Sequence, residues 1–259
     1  MDRTFWQKQT KDQPLFPDMV WSQPENRLHA GKLLIIGGSG YEFKEPANAY
    51  GDALQAGVGT AKVILPASMK KTVEHIFPEA EFAPHTPSGS FARKALAQFL
   101  DAAEWANGVL LAGDLGRNSE TAILLETLLA KYHGLLVLAN DAVDHFLDAP
   151  GACLSRPDTV VVCNTAQLQK LAAAAHFTTA FTSTMPMLQM VEALHEFSAT
   201  YNCNFVTWHD GAMYVASQGQ ISTTPFDNFN STDSAARAAV WSLQNPSRPY
   251  EALTTSLIA

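Results

Sequence analysis

Four small residues, Gly37-Gly38-Ser39-Gly40, form the part of this sequence best suited to contact a ligand. They directly follow the apolar run 33–36, which is typical of a buried strand. A glycine-rich turn exposes backbone N–H groups and lets a ligand approach the main chain closely. Open α/β sheets bind ligands beyond the carboxyl ends of their strands, so residues 37–41 are predicted to touch one. The alternative is a tight strand-to-helix connection.

The same turn does not match other well-known signatures. It lacks the Lys-Ser/Thr ending of a Walker A loop and the complete Rossmann fingerprint. Ser39 has no recognisable histidine partner, so we do not expect it to be a nucleophile. The histidines show no spacing with Asp or Glu that indicates a metal site, and none is predicted.

From Lys32 onward, strand-like and helix-like segments alternate. Apolar runs predict strands near 33–36, 61–65, 109–111, 135–138, 159–162 and 204–207. Periodic segments predict helices near 47–55, 120–132 (with Ser119 as N-cap), 167–175, 187–201, 233–243 and 250–257. This alternation predicts an α/β fold with a mostly parallel central sheet and helices on both faces. A late antiparallel hairpin, 213–216 and 220–222, is expected at one edge.

Residues 1–31 differ from the rest because they are polar, with interspersed aromatic residues and prolines. We expect an extended arm that packs on the domain or on a neighbouring subunit. Its predicted anchors are Phe5, Trp6, Phe16 and Trp21. Residues 32–259 contain no internal repeat, linker or break in composition, so a single domain is predicted for them.

Charge and composition exclude several classes of partner. The formal net charge is −8 and the pI about 5.4, whereas nucleic acids and anionic membranes require a basic footprint. An anionic small molecule remains possible, because glycine turns and helix N-termini bind phosphate through neutral backbone dipoles. The sequence has no apolar run of membrane-spanning length, no apolar signal-peptide core, and three cysteines without a CxxC pair. These features predict a cytoplasmic protein with reduced cysteines.

Four segments, in this order, resemble the ribokinase-like superfamily and, within it, the ADP/ATP-dependent NAD(P)H-hydrate dehydratase family. The first is the Gly37-Gly38-Ser39 turn with Ala56-Gly57-Val58-Gly59. The others are Gly113-Asp114-Leu115-Gly116-Arg117, Leu138-Ala139-Asn140-Asp141-Ala142 and Asn230-Ser231-Thr232-Asp233. Members of that family remove the hydrate from damaged NADH or NADPH, driven by ADP or ATP. The resemblance covers roughly residues 27–257 and implies a three-layer ribokinase-like fold.

The resemblance also implies roles for individual residues. Asp233 would be the catalytic base that activates the hydroxyl of the hydrate. The dinucleotide would contact Gly37, Gly38, Ser39, Gly40, Tyr41, Gly116 and Asn164. The nucleotide and its phosphates would contact Asn140, Asp141, His209, Asn230, Ser231 and Thr232. The implied ligands are ADP or ATP with Mg²⁺ and NAD(P)H or its hydrate, and the family habit, with the aromatic arm, suggests a homo-oligomer.

The sequence departs from the family pattern on the nucleotide side. Asn230 and Thr232 stand where the family's Gly-Thr-Gly-Asp turn has glycines, and a Cβ at either position blocks close approach of phosphate or strains the backbone. Asn164 and Gln167 replace a His and a Glu. Trp208-His209-Asp210 stands where Leu-Lys-Gly is expected, so the lysine near the nucleotide is missing.

Structural interpretations of these residues remain open. Asp233 can be a first-turn acidic residue favoured by the helix dipole, with Ser231 or Thr232 as the N-cap. Asp114, Asp141, Asn164 and His209 can likewise stabilise loops and turns, and the sequence favours that role for Asp114 and for the His209-Asp210-Gly211 turn.

Three functions therefore compete. The first is an NAD(P)H-hydrate dehydratase-like protein with reduced or lost activity. The second is a non-catalytic relative that binds a nucleotide or dinucleotide. The third is a small-molecule kinase of the same superfamily, which also requires the anion hole that is altered here.

Overall fold

The computed structural model describes residues 4–21 and 23–259, which form a helix-covered sheet. Its strands are β1 (Trp6–Lys8), β2 (Lys32–Gly37), β3 (Thr60–Pro66), β4 (Ala80–Ala83), β5 (Gly108–Gly113), β6 (Leu135–Leu138), β7 (Thr159–Asn164), β8 (Asn204–His209), β9 (Ala212–Ser217) and β10 (Gln220–Pro225). Its helices are α1 (Pro17–Trp21), α2 (Lys44–Gln55), α3 (Lys70–Val73), α4 (Leu96–Trp105), α5 (Ser119–Lys131), α6 (Asp141–Asp144), α7 (Gly151–Leu154), α8 (Thr165–Ala174), α9 (Met187–Thr200), α10 (Ser231–Gln244) and α11 (Pro249–Ser256).

The strands form one sheet in the order β1-β10-β9-β8-β7-β6-β5-β2-β3-β4. In this order, all neighbouring strands from β8 through β7, β6, β5, β2 and β3 to β4 are parallel. Strand β9 is antiparallel to both of its neighbours, β8 and β10. Strands β2, β5, β6, β7, β8 and β10 therefore end at one edge of the sheet, called here the carboxyl edge. The predicted mostly parallel α/β sheet with a late antiparallel hairpin is confirmed.

Side-chain alternation along β2 shows how two cores form on this sheet. Leu34 and Ile36 pack into the core beneath α4, α5, α8 and α9, whereas Leu33 and Ile35 pack into the core beneath α2, α10 and α11. All four side chains are fully buried. A continuous apolar run is what a strand covered on both faces requires, and this explains why 33–36 lacks polar alternation.

Helices α2 and α10 pack closely against one another on the second face. Ala49 and Ala53 of α2 lie in the same core as Ala235 and Ala239 of α10, and all four are fully buried. Small side chains let the two helix backbones approach closely. This contact brings the first turn of α2 beside the first turn of α10 at the carboxyl edge.

The predicted hairpin is confirmed, with a turn at Gln218-Gly219. Both residues have positive φ, 49° and 79°, as the tight turns that suit hairpins require. A second such turn, Asp210-Gly211, joins β8 to β9 with φ of 46° and 74°. Beyond β8 the sheet thus continues with β9, which runs in the opposite direction, and β10, which again runs in the direction of β8.

The N-terminal arm packs on the domain and adds strand β1 beside β10. Phe5 stacks on His195 with ring centroids 3.8 Å apart, and the Trp6 indole donates to Thr223 Oγ1 at 3.1 Å. Phe16 packs edge-on against Tyr250. The expectation for Trp21 is wrong, because its side chain is 87% exposed.

One sequence expectation about the start of a helix is wrong by one residue. The N-cap of α5 is Asn118, whose side chain accepts from the N–H groups of Glu120 and Thr121, and not Ser119. Strand β4 and helix α4 are elements that the sequence patterns do not predict. None of the helices within residues 4–21 and 23–259 combines the length and hydropathy that a membrane span needs.

Candidate functional site at the carboxyl edge

The segments in which the sequence predicts ligand contacts all lie at the carboxyl edge. Each follows the end of a strand or, in the last case, begins α10 next to those ends. The structure therefore brings together residues up to about two hundred positions apart. These segments are 37–41, Gly116, 140–141, Asn164, His209 and 230–233.

The glycines of the first turn are packed against neighbouring backbone. A Cβ on Gly37 would lie 2.6 Å from the carbonyl oxygen of Gly113, and one on Gly40 would lie 3.0 Å from the Cα of Gly89. Gly89 is in turn closed by Gly40, since its own Cβ would lie 2.7 Å from the Gly40 Cα. These glycines thus allow segments of the chain to pack closely against one another.

The backbone N–H groups of this turn are partly engaged as well. Gly38 has φ of +90° and donates to the Gly113 carbonyl at 2.9 Å, and Ser39 donates to the Glu42 carbonyl at 2.8 Å. The Ser39 side chain is buried. Tyr41, by contrast, is 87% exposed and leaves its ring available to a ligand.

Asp141 stabilises the turn that contains Gly116. Its carboxylate accepts from the N–H groups of Leu115 at 3.3 Å and Gly116 at 3.0 Å. Burial raises the pKa of this carboxyl above its ordinary value, although the two backbone donors partly oppose the shift. The loop-stabilising interpretation of Asp141 accounts for both contacts.

Asn140 links three segments of the edge. Its backbone has φ of 52° and ψ of −137°, and its side-chain amide donates to the Ala112 carbonyl at 2.7 Å and to Thr232 Oγ1 at 2.9 Å. Its own carbonyl accepts from the Gln167 amide at 2.7 Å. Gln167 and Asn164 form the capping box of α8, so Asn164 has a structural role.

The N-terminus of α10 is closed by side chains of the protein. Asn230 is the N-cap, in place of the expected Ser231 or Thr232, and its oxygen accepts from the N–H groups of Thr232 at 3.0 Å and Asp233 at 3.2 Å. The Thr232 hydroxyl donates to the Glu45 carboxylate. Within the described part of the chain, the buried Ser231 hydroxyl has no hydrogen-bond partner.

Carboxylates surround this helix start. The Glu45 N–H donates to Asp114 at 2.8 Å, and this hydrogen bond lowers the pKa of the Asp114 carboxyl. Burial outweighs it and raises that pKa, and the negative charges of Glu45 and Asp141 add to the rise. Burial also raises the pKa of Asp52, and the negative charge of Asp233 adds to that shift. The site is therefore negatively charged where a phosphate would be expected.

Asp233 keeps an exposed carboxylate in this setting. Its Oδ1 lies 2.9 Å from Nε of Arg237 one turn further along α10, and both side chains are about one-third exposed, at 30% and 32%. The guanidinium therefore lies against one oxygen of this carboxylate. Asp233 also borders a cavity of about 240 Å³.

His209 lies in the interior. The side chain is 2% exposed, Nε2 is 2.6 Å from the Met185 carbonyl oxygen, and Nδ1 is 3.4 Å from the Thr165 hydroxyl. Both ring nitrogens are therefore used inside the protein. This placement accords with the structural interpretation of the 209–211 turn.

Two further cavities open along the edge. One of about 420 Å³ lies beside Gly116 and is bordered by Arg117 and Lys170, the latter 3.5 Å from Asp144. The other, of about 560 Å³, lies beside Tyr41. The described residues contain no group of three or more His, Cys, Asp or Glu side chains placed to hold a metal ion.

Sequence reasoning misses the residue that closes the α10 terminus, Glu45. From the sequence, Glu45 is recognisable only as an acidic residue in the first turn of α2, where acidic residues are common. Its partner Thr232 is 187 residues away, and no local pattern reports such a contact. Gln167 shows a weak signal, since Asn164 and Gln167 have the spacing of a capping box.

The fold is ribokinase-like. No family model matches the chain, and no curated protein matches its sequence. A ribokinase-like superfamily protein from Enterococcus faecalis V583 is similar in structure, with a TM-score of 0.70 at 15% identity over 100% of this chain and 87% of the other.

Solved structures of characterised enzymes share the same fold. The ADP/ATP-dependent NAD(P)H-hydrate dehydratase from Bacillus subtilis, co-crystallised with ATP/Mg²⁺ and soaked with CoA, has a TM-score of 0.61 at 13% identity over 95% and 86% of the two chains. The Bacillus subtilis pyridoxal kinase in its ADP complex has a TM-score of 0.55 at 12% identity over 87% and 88%. At these identities the likeness concerns the fold.

Proposed function

We propose that this chain binds an adenine nucleotide or NAD(P)H at its carboxyl edge but does not transfer a phosphoryl group. The observation that carries the proposal is the closed N-terminus of α10. Asn230 accepts from the N–H groups of Thr232 and Asp233, which are donors that an anion hole would direct at a phosphate. Occupied donors cannot stabilise charge that develops during transfer.

The Glu45 carboxylate strengthens this argument. It accepts from the Thr232 hydroxyl, and the nearby Asp114 and Asp141 add carboxyl groups whose pKa values are raised mainly by burial. A phosphate entering here would meet like charge in a partly desolvated site. A nucleotide phosphate with Mg²⁺ therefore does not fit the residues at the start of α10, and we derive no reaction step through it.

Binding itself is supported by the cavity beside Gly116. Its volume of about 420 Å³ falls in the range of roughly 300–1,000 Å³ that small-molecule sites occupy. Arg117 and Lys170 border it together with Asp141, Asp144 and Asp148. The two cations can pair with an anionic group of a ligand, and the carboxylates can accept hydrogen bonds from ligand groups such as the ribose hydroxyls of a nucleotide. A protein of the same fold was co-crystallised with ATP/Mg²⁺, which supports the nucleotide class.

A second candidate function is a slow NAD(P)H-hydrate dehydratase, and the observation that favours it is Asp233. The carboxylate stands at the start of α10, partly exposed and next to a cavity. As the base it would take the proton of the hydrate hydroxyl. The loss of an anion-hole donor costs on the order of a hundredfold or more in rate, so turnover would be weak.

Thermal unfolding with ADP, ATP, NADH and NADPH tests the binding proposal. A ligand at about one hundred times its Kd adds roughly 2.7 kcal/mol, which raises the Tm of a domain of this size by several degrees. No shift with any of the four ligands would overturn the proposal.

Turnover of NAD(P)H hydrate separates the two candidate functions. We expect binding without turnover in the wild-type chain. Turnover that is lost in Asp233→Asn, with ligand-induced Tm shifts retained, would establish the dehydratase instead. Turnover that persists in Asp233→Asn would come from a contaminant or another base.

A further inference from the structure

Another cavity lies at the end of the sheet opposite to the carboxyl edge. Its volume is about 350 Å³, and Asn107, Leu135, Asp158 and Asn204 border it where β5, β6, β7 and β8 begin. Ser242, near the end of α10, and the first residue of α11 also border it. The volume falls in the range of roughly 300–1,000 Å³ that small-molecule sites occupy, and the cavity shares no residue with the site at the carboxyl edge.

Ser242 carries a hydroxyl that lacks a partner inside the protein. The residue is 4% exposed, and within residues 4–21 and 23–259 its Oγ is buried without a hydrogen bond. A serine inside a helix commonly donates to the carbonyl four residues earlier, and buried polar groups without a partner are uncommon in folded proteins. A polar group of a ligand in the adjoining cavity would supply the missing partner.

The two asparagines that border the cavity are held in place by the backbone. The buried Asn204 side chain donates through its nitrogen to the carbonyls of Pro157 at 3.0 Å and Thr159 at 3.2 Å. Asn107 Oδ1 accepts from the N–H group of Lys32 at 2.9 Å. Both side chains are therefore fixed before a ligand arrives, which lowers the entropy cost of binding.

The charges around this cavity favour an uncharged ligand. Asp158 is the only acidic or basic residue that borders it within the described part of the chain. Burial lowers the pKa of Arg156, and the negative charge of Asp158 opposes that shift, so the two charges lie close enough to offset each other. The Arg156 guanidinium donates to Thr159 Oγ1 and to the carbonyls of Leu129 and Gly134, and most of its N–H groups are thus used inside the protein.

Rigid and branched apolar side chains form the rest of the wall. Proline rings have a fixed shape, and aromatic rings pack well on them, as when aromatic-lined grooves bind proline-rich segments. The apolar residues that border the cavity are Leu135, Pro157, Val160, Leu243, Pro246 and Pro249. A mostly apolar wall with a few polar groups is typical of a small-molecule site, and this wall suits a planar ring.

We infer that this cavity binds a small uncharged aromatic molecule with one hydrogen-bonding group, an amide or a hydroxyl, that pairs with the Ser242 hydroxyl. The ring packs against the prolines and the aliphatic side chains. The polar group satisfies a hydroxyl that the fold leaves without a partner. This site is separate from the carboxyl edge and does not depend on the nucleotide binding proposed there.

Titration of the full chain with benzamide, followed by the methyl NMR signals of Leu135, Val160 and Leu243, tests this inference. We expect these signals to shift with a Kd on the order of 1 mM, as is usual for a ligand of about nine non-hydrogen atoms. Benzoate has the same shape but a negative charge. It should bind about tenfold more weakly, because its charge would be desolvated beside Asp158 without a cationic partner.

Two variants locate the polar contact. Ser242→Ala should weaken benzamide about fivefold, as expected for the loss of one neutral hydrogen bond. It should also raise the Tm of the ligand-free chain, because it removes a buried hydroxyl without a partner. Thr255→Val is the matched control, since the Thr255 hydroxyl is also buried and without a partner among the described residues but does not border the cavity. Its affinity for benzamide should equal that of the wild type.

Three results would overturn the inference. The first is the absence of benzamide-induced shifts at these three residues, including the case in which only Leu147, beside the Gly116 cavity, responds. The second is benzoate binding as tight as that of benzamide. The third is equal benzamide affinity in Ser242→Ala and wild type. Failure of ADP, ATP, NADH and NADPH to bind would overturn the proposed function and leave this inference standing.

Discussion

The sequence predicts ligand contacts for two segments of the carboxyl edge, the 37–40 turn and the 230–233 start of α10, which differ in whether they keep the glycines of the family pattern. The first keeps its glycines, and the second has lost them. In the structure both are filled by the protein itself: Gly37 and Gly40 by neighbouring backbone, and the helix start by the Asn230 and Glu45 side chains. A glycine is thus a sign of close approach, but the approaching group can be the chain itself.

A substitution at Gly37 tests most directly whether the 37–40 turn is packed against neighbouring backbone. In Gly37→Ala the new Cβ would lie 2.6 Å from the Gly113 carbonyl oxygen, so we expect a loss of about 3 kcal/mol in the free energy of unfolding. Urea titration measures it. Gly51→Ala is the control, because nothing lies within 4 Å of that Cβ inside α2 and a gain of about 0.5–1 kcal/mol is expected. Equal stabilities of the two variants would show that the turn is not packed as described.

Opening the other segment should create an anion site. The variant Glu45→Ala/Asn230→Gly/Thr232→Gly frees the N–H groups of residues 232 and 233 and removes a carboxylate. We expect ADP to bind about tenfold more tightly, a change of about 1.4 kcal/mol, measured by calorimetry. Glu42→Ala, which removes one acid without opening the helix, should gain much less. A similar gain in both variants would mean that net charge alone governs affinity.

Asn230 by itself should matter for stability. Asn230→Ala removes the N-cap of α10 and should cost about 1 kcal/mol, whereas Asn230→Gly should cost only a few tenths. Urea unfolding of the two variants gives both values. Equal losses would indicate that Asn230 acts through its contacts in the folded edge rather than as a cap.

The smallest effect is expected at Asp114, next to both segments. Burial raises its pKa above the ordinary 3.8, so the ionised form is disfavoured in the folded protein. Stability should therefore rise as pH falls through the raised pKa toward 3.8, and Asp114→Asn should lack this rise. At pH 7 the variant should be as stable or slightly more stable, because Asn tolerates φ of 57° and still accepts from the Glu45 N–H.

Melting temperatures measured between pH 7 and pH 4 test this last prediction. The difference between Asp114→Asn and wild type should shrink as the pH falls. A difference that does not change with pH would show that Asp114 is not destabilised by its charge.

The strands, the long helices and the hairpin were predictable because each leaves a local pattern. The four apolar residues 33–36 predict a strand buried on both faces, and the spacing of leucines in 120–132 predicts a helix. The sequence did not predict β4 or α4, and it placed Trp21 in the arm's anchor set although Trp21 is 87% exposed. Burial of a single aromatic residue depends on partners that are distant along the chain.

The sequence by itself determined the fold class and the set of strand ends where a ligand site should lie, since periodicity and glycine position are local properties. Tertiary structure alone decided whether that site is open. The Glu45 carboxylate contacts the Thr232 hydroxyl across 187 positions of the sequence. The Asn140 amide contacts the same hydroxyl across 92 positions, and Lys11 and Arg237 line one cavity. Such contacts depend on the packing of α2 against α10 and of the arm against β10, which no stretch of sequence encodes alone.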